Sequence, residues 1–253
     1  MIDVKQGLPP VAVRSQLKSR PPPEHDLLSL MKDPNDEASS VMTIPAPRRA
    51  RGRPACSDAG GADALLRSAR GAFARNGYEA TSVREIARAS GVDPALIAHH
   101  FGSKEALWAA VVNQIADEAA PMIEKIAALR DMSGSGSRER VEHAVSIIID
   151  QVFLTPDVGM FFSTAATETG ERLNLLIKQM VRPLHEVFVP LLIDAINAGT
   201  IAQQNPDVMF MVLASGISKT VAYSHVLTPF SSLPRHPKSF KRAVLATALT
   251  MLG

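Results

Sequence analysis

The chain has 253 residues with a formal net charge of +2, which allows one large domain or two smaller ones. Its single cysteine, Cys56, excludes an internal disulfide and a cysteine-rich metal site. Because no apolar run approaches the ~20 residues that cross a bilayer, and residues 1–10 lack the apolar core of a secretory signal, we expect a cytoplasmic protein.

Residues 1–57 are predicted to be a mostly disordered extension, since prolines recur in them and aromatic residues are absent. Their positive charge gathers in a basic arm at 48–54. Within the arm, Arg51–Gly52–Arg53–Pro54 has the form of an AT-hook core, whose glycine lets the backbone approach the minor-groove floor while the guanidinium groups point along the groove. We predict that Arg51 and Arg53 contact DNA; a solvated linker is the alternative.

Residues 58–103 are predicted to form a three-helix domain. Apolar residues recur three and four positions apart over 61–75, which indicates the first helix, and Asn76–Gly77 supplies a left-handed stop. Ser82 and Glu85 then form a capping box, in which each side chain binds a free backbone amide at the start of the second helix.

The third helix is predicted over 94–100, because Asp93 is a good N-cap and Pro94 a good first helical residue. A tight turn separates it from the second helix, which ends near Ser90–Gly91. Two short helices joined in this way form the helix-turn-helix arrangement that presents one helix to the major groove. Double-stranded DNA is therefore the predicted partner.

Residues 104–253 show helical apolar spacing and no convincing period-2 strand pattern. A fourth helix begins at Lys104. A long helix bent at its prolines is expected over 171–197, and two more helices over 206–226 and 238–252. The predicted fold class is all-α, with a small N-terminal domain followed by a larger helical bundle.

The segment 64–112 resembles the N-terminal domain of the TetR family of bacterial transcriptional regulators. The matching residues, in order, are Phe73, Gly77, Tyr78, Thr81, Ser82, Val83, Ile86, Ala87, Gly91, Val92, His100, Phe101, Ser103, Lys104, Glu105 and Leu107. The resemblance implies a homodimer that binds a near-palindromic operator through the third helix of each protomer. It also implies that residues 104–253 hold the dimer together and enclose a pocket for a small-molecule effector, so the expected function is a repressor released by that effector.

By this resemblance, the third helix meets base edges or the nearby backbone through Pro94, Ala95, Leu96, Ala98 and His99. Pro94, Ala95 and Ala98 carry no side-chain donor and can at most touch thymine methyl groups. His99 is therefore the best polar reader of sequence. Leu96 faces either DNA or the small core.

Phosphate contacts are assigned by the resemblance to His100 and Lys104. The second helix starts with free amides and a partial positive charge, to which Thr81 and Ser82 can add hydroxyl donors; for Ser82, capping alone is the alternative. The adjacent histidines could suggest a metal site, but consecutive helical side chains point about 100° apart, so His99 and His100 are not expected to share an ion.

The effector pocket is predicted from side chains of the C-terminal domain, with ordinary bundle core as the alternative for each. The candidates are Trp108, His143, Phe153, Phe161, Phe162, Thr164, Met180 and Phe188. The last two helices carry more apolar surface than one core face needs, which a four-helix contact across a two-fold axis would bury. Intrachain packing is the competing explanation.

An enzyme is the rival class. The sequence contains no Glu-x-x-His pair, nucleophile elbow, phosphate loop or zinc signature, so no catalytic residue, metal or cofactor is expected. The alternative function is a DNA-binding adaptor that lacks a working effector pocket and acts through protein contacts.

Overall fold

The computed structural model describes residues 58–253, which form eleven α-helices and no strand. The predictions for residues 1–57, including Arg51 and Arg53, lie outside the described residues. The helices are α1 Asp58–Ala80, α2 Val83–Ser90, α3 Pro94–Phe101, α4 Lys104–Ala128, α5 Ser137–Leu154, α6 Pro156–Ala165, α7 Gly170–Leu176, α8 Arg182–Asn197, α9 Pro206–Ala222, α10 Ser224–Leu227 and α11 Pro237–Thr250.

The predicted stop after the first helix is present at Gly77, whose φ of 75° and ψ of 176° interrupt the helical path of α1. This left-handed φ suits glycine, which has no Cβ to clash with the backbone. Helical residues nevertheless continue to Ala80. Up to the stop at Gly77, α1 differs from the predicted 61–75 mainly in beginning at Asp58.

The long helix predicted over 171–197 is present, since residues 170–197 are helical without a break. A π-helical segment at Ile177–Val181 separates α7 from α8. Pro183 lies directly after this segment, in the first turn of α8. The helices predicted over 206–226 and 238–252 correspond to α9 and α11 with shorter C-terminal ends.

Two apolar clusters fill the described part of the chain. The first contains buried residues of α1 to α4, α6 and α7, with Phe73, Trp108 and Phe161 among its largest side chains. The second joins the end of α4 to α5, α8, α9 and α11. The predicted domain boundary between residues 103 and 104 lies inside the first cluster, because the first half of α4 packs with α1 and α6.

Between residues 58 and 253, no single helix is both long and apolar enough to cross a bilayer. The helices α5 and α6 meet such a criterion only as a pair, and they are bent by 93° relative to each other.

Candidate nucleic-acid interface and effector cavity

The start of α2 has the predicted capping box. The backbone N–H of Ser82 donates to Glu85 Oε2 at 3.3 Å, and the side chain of Ser82 accepts from the N–H of Glu85. Two exposed arginines, Arg84 and Arg88, follow on one side of α2, because residues four apart lie on the same helical face. The first turn of α2 thus combines oriented amides with nearby positive charge.

The turn between α2 and α3 and the start of α3 are each stabilised locally. Gly91 ends α2 with a left-handed φ of 67°. Asp93 Oδ1 then accepts from the N–H of Ala95 at 2.8 Å, and Pro94 occupies the first turn of α3. These local contacts fix the residue at which α3 begins and help to set its direction relative to α2.

Within α3, the buried residue is Ile97, which anchors the helix to the first apolar cluster. The remaining predicted contact residues are all exposed: Pro94, Ala95, Leu96, Ala98, His99 and His100. Leu96 has 38% of its surface exposed, so it does not belong to the small core. The helix therefore presents a continuous, largely apolar face with two imidazole rings at its C-terminal end.

The two imidazole rings lie edge to face, with centroids 5.5 Å apart. Among residues 58–253, no three His, Cys, Asp or Glu side chains are grouped closely enough to hold a metal ion. The structure therefore offers His99 and His100 as separate polar groups.

The structure does not support Thr81 as a phosphate donor. Its side chain is buried, with 3% exposure, and its Oγ1 donates to the carbonyl of Gly77 at 2.6 Å. A second carbonyl, that of Ala72, lies 3.3 Å from the same oxygen. A hydroxyl has one proton to donate, and the Thr81 hydroxyl donates it to a carbonyl within the α1–α2 connection. The prediction of a DNA contact for Thr81 is therefore wrong.

Thr81→Val is expected to lower the free energy of unfolding by about 1–2 kcal/mol, because it leaves a buried carbonyl without its donor. DNA affinity of the folded fraction should stay unchanged. Chemical denaturation and operator titration measure the two quantities. A variant with intact stability but weakened DNA binding would restore Thr81 as a contact residue.

Lys104 begins α4 and is partly engaged within the protein. Its Nζ donates to the carbonyl of Glu79 at 3.2 Å and lies 4.3 Å from the centre of the Tyr78 ring. Arg172 of α7 covers the same ring, with its guanidinium carbon 4.0 Å from the ring centre. Lys104 and Arg172 thus both stack on the Tyr78 ring, because the electron-rich faces of the ring attract positive charge.

The Tyr78 hydroxyl donates to Glu105 Oε1. Burial and this bond to a carboxylate raise the pKa of Tyr78 above its ordinary value, so the hydroxyl keeps its proton. The same bond holds the pKa of Glu105 below its usual range. Arg172 also donates from Nε to Glu168 at 2.8 Å, so the ring, both cations and the acids connect α1, α4 and α7.

Arg70 provides a second connection between α1 and the bundle. Its Nη1 donates to Glu118 Oε2 of α4 at 2.7 Å. Its Nε lies 2.7 Å from Asp157 Oδ2 of α6, although the N–H does not point along that contact. Sequence reasoning missed this group, because the arginine and its partners are far apart in the chain.

A cavity of about 140 Å³ opens between α4, α5, α6, the π-helical segment, α8 and α9. Apolar side chains form most of its wall, including Met122, Phe162, Met180 and Phe210. Such a cavity is typical of small-molecule sites. Phe162 and Met180 were predicted as pocket residues and do line it.

The other six predicted pocket residues do not line this cavity. Phe161 is buried in the first apolar cluster because consecutive helical side chains point about 100° apart, so only its neighbour Phe162 faces the cavity. Trp108 lies in the same cluster, and Phe188 in the second. For these three, bundle core is the correct alternative.

The remaining three have different surroundings. Phe153 packs edge-on against Phe240, with ring centroids 5.5 Å apart. Thr164 Oγ1 donates to the carbonyl of Ala74 at 2.9 Å and so ties α6 to α1. His143 is exposed on α5. Their predicted place in the pocket is therefore corrected.

The apolar residues of the last two long helices, which were expected to form the dimer surface, are partly buried within the chain and partly exposed. Met209, Ile217 and Val244 are buried within the chain, as the intrachain alternative proposed. On the outer side, α9 exposes Val208 by 61% and Val212 by 46%. An apolar face therefore continues from the core to the surface of α9.

These features define a class of protein. A short exposed helix, set by a capped turn after a second helix and joined to a helical bundle with an apolar cavity, is the architecture of a helix-turn-helix domain followed by a larger helical domain.

Comparisons with known proteins show which family the helix-turn-helix segment is similar to. Residues 65–111 match the family model of bacterial regulatory proteins, tetR family. The HTH-type transcriptional repressor AcnR of Corynebacterium glutamicum is 36% identical over 70 residues, which are 28% of this chain and 37% of that relative. The chain thus matches little more than a third of the length of this curated relative. Residues 65–111 are thus similar to the DNA-binding domain of bacterial regulatory proteins of the tetR family.

Solved structures match over a greater length. A tetR-family regulatory protein from Rhodococcus RHA1 has a TM-score of 0.60 at 18% identity, covering 76% of this chain and 97% of that chain. FadR from Bacillus subtilis, solved in complex with stearoyl-CoA, has a TM-score of 0.55 at 14% identity, covering 76% and 99%. At these identities the likeness shows a shared fold.

Proposed function

We propose that the protein is a dimeric DNA-binding transcriptional repressor that a small-molecule effector releases from its operator. The observation that carries the proposal is the exposed face of α3, held by Ile97 and by the Asp93 cap. An apolar helical face left in solvent at the tip of a small domain needs a partner, and the major groove admits a helix of this size.

In this proposal α3 lies in the major groove, with Pro94, Ala95, Leu96 and Ala98 against thymine methyl groups and His99 as the polar reader. His100, Lys104 and the capped start of α2 at Ser82 contact phosphates, and these contacts set the register. Arg84 and Arg88 are added to the phosphate-facing set because they are exposed on α2. Arg51 and Arg53 stay predicted minor-groove contacts.

The proposed dimer pairs α9 and α11 with their copies across a two-fold axis. Support comes from the exposed Val208 and Val212 and from a cleft between α9 and α11 that Thr220, Thr247 and Met251 help to line. Two α3 helices held in this way would meet half-sites about one helical turn apart or at a related spacing.

The cavity is the proposed effector site. Its walls α4 and α6 also carry the contacts to α1, through Arg70 and through Thr164. A ligand that displaces these walls would change the separation of the two α3 helices and weaken operator binding. The FadR complex with stearoyl-CoA supports ligand binding within this fold. The adaptor alternative, which needs no cavity, is not favoured.

The proposal is tested by comparing His99→Ala with Lys104→Gln on the promoter region of the gene. His99→Ala should reduce discrimination between operator and altered operator by about tenfold, because a lost base contact is worth about 1–3 kcal/mol. Lys104→Gln should weaken all sequences alike and lower the salt slope by about one for each protomer. Fluorescence anisotropy over a range of salt concentrations measures both effects.

The unfolding free energy of each variant serves as the control, because Lys104 also stacks on Tyr78. If the two variants behave identically, the division into base-reading and phosphate-binding residues is wrong. If the unmodified protein ignores every duplex at low salt, DNA binding itself is refuted.

A further inference from the structure

The charge of the cavity wall is as informative as its apolar character. Within the described part of the chain, Glu118 is the one ionisable residue among those that line the cavity. The remaining polar lining consists of neutral amides and hydroxyls, such as Gln151, Gln179 and Ser215. No Lys, Arg or His side chain of the described residues faces the space.

The positive group that pairs with Glu118, the Arg70 guanidinium, also pairs with a second carboxylate. Arg70 is 6% exposed, does not line the cavity, and lies between two carboxylates, with 2.7 Å to Glu118 Oε2 and 2.7 Å to Asp157 Oδ2. One guanidinium between two carboxylates leaves this group with a formal net charge of −1. The Glu118 side chain is 35% exposed, so it can be approached from the cavity.

We propose that the cavity takes an apolar molecule carrying a positive charge, of the alkylammonium or aryl-amidinium kind, with Glu118 as its counter-ion. The inference rests on the proposed function only in taking the cavity as the effector site. The ligand's apolar part would lie against Met122, Phe162 and Met180, and its cation would meet the Glu118 carboxylate.

A cationic ligand is favoured over an anionic or a neutral one because the cavity is apolar and carries a negative charge. An anionic chain would place its carboxylate near Glu118 with no lining cation to neutralise either group, and an unpaired charge in apolar surroundings is strongly disfavoured. A neutral chain would bind through buried apolar area alone. A cation adds a charge-assisted hydrogen bond to the same apolar contacts.

The same geometry links occupancy to the DNA-binding helices. Glu118 would be shared between the ligand's cation and Arg70, so a bound cation weakens the tie between α4 and α1. The contact of Arg70 with Asp157 on α6 would persist. Ligand binding would thereby loosen α1 from one wall of the cavity while leaving it attached to the other.

The experiment uses three probes with the same chain and different head groups: dodecylammonium, dodecan-1-ol and dodecanoate. Each is added below its critical micelle concentration to the full-length protein, and binding is measured by equilibrium dialysis. Dodecylammonium should bind about tenfold more tightly than dodecan-1-ol, as one ion pair in a partly desolvated site allows, and dodecanoate should bind most weakly.

The matched variants are Glu118→Gln and Asp157→Asn. Glu118→Gln removes the charge from the cavity wall and should bring dodecylammonium to the affinity of dodecan-1-ol. Asp157→Asn changes no residue that lines the cavity, but it leaves Glu118 neutralised one-to-one by Arg70, so it should also reduce the preference for the cation. The series on the unmodified protein does not depend on whether either variant folds.

Equal affinity for all three probes, or a preference for dodecanoate, would overturn the inference. A cation preference that survives in Glu118→Gln would also overturn it, because another group would then be the counter-ion. If none of the probes binds, the inference fails as well. Retained operator binding in the same preparation would show that the DNA-binding function stands independently of it.

Discussion

Ala98→Glu is expected to weaken operator binding by at least about 100-fold while leaving the fold intact. Ala98 is exposed on α3, so a longer side chain meets no core residue. In the proposed complex the new carboxylate would point at the phosphates and base edges of the groove, and like charges brought together at an interface cost several kcal/mol. Because both protomers carry the change, the effect is doubled. Titration of operator DNA at fixed salt measures it.

Ala127→Glu is the matched control. Ala127 is exposed near the other end of α4, about 35 Å along the helix from Lys104 at 1.5 Å per residue. The Ala127→Glu substitution adds the same negative charge as Ala98→Glu, so any general effect of net charge on DNA affinity appears in both variants. If both variants lose the same operator affinity, the proposal that α3 lies in the major groove is wrong.

Trp108→Ala is expected to lower the free energy of unfolding by about 3–5 kcal/mol, the usual range for truncating a large buried aromatic residue. The indole is 2% exposed and packs edge-on against Tyr78, with centroids 6.4 Å apart. Its other neighbour is Phe161, at 6.1 Å. The cavity left behind would lie where α1, α4 and α6 meet, so the DNA-binding helices should loosen from the bundle together with the loss of stability.

Urea denaturation followed by circular dichroism measures this loss. Leu154→Ala is the control, since Leu154 is 76% exposed and its truncation should change stability by less than about 0.5 kcal/mol. Trp108 was also a candidate for the effector pocket. A variant that keeps its stability but loses ligand binding would return Trp108 to the pocket and contradict its assignment to the core.

Much of the DNA-binding region could be predicted because its determinants are local. Ser82, Asp93 and Pro94 each act on amides within three positions in the chain, so their spacing sets where α2 and α3 begin. Helical periodicity likewise indicated an all-α fold. The predicted stop at Gly77 is present and residues 170–197 are helical without a break, but the π-helical segment at Ile177–Val181 was not predicted.

The pocket was predicted poorly for a physical reason. Phe161 and Phe162 are adjacent and chemically identical, yet one fills the core and the other faces the cavity. Which side of α6 faces α1 depends on the close approach of Gly159 to α9, where an added Cβ would lie 2.9 Å from the carbonyl oxygen of Ser218. Such contacts between distant segments leave no periodic signal in the sequence.

The sequence by itself determined the all-α class, the order of the first four helices and the capped turn that orients α3, because capping and periodicity act over a few residues. The tertiary structure decided which groups are available to a partner. It buried the Thr81 hydroxyl against Gly77, exposed Leu96, and brought Arg70 to Glu118 across 48 positions of the chain. These outcomes depend on how helices pack across long separations in the sequence, and that packing also places the Glu118 carboxylate in the wall of the cavity.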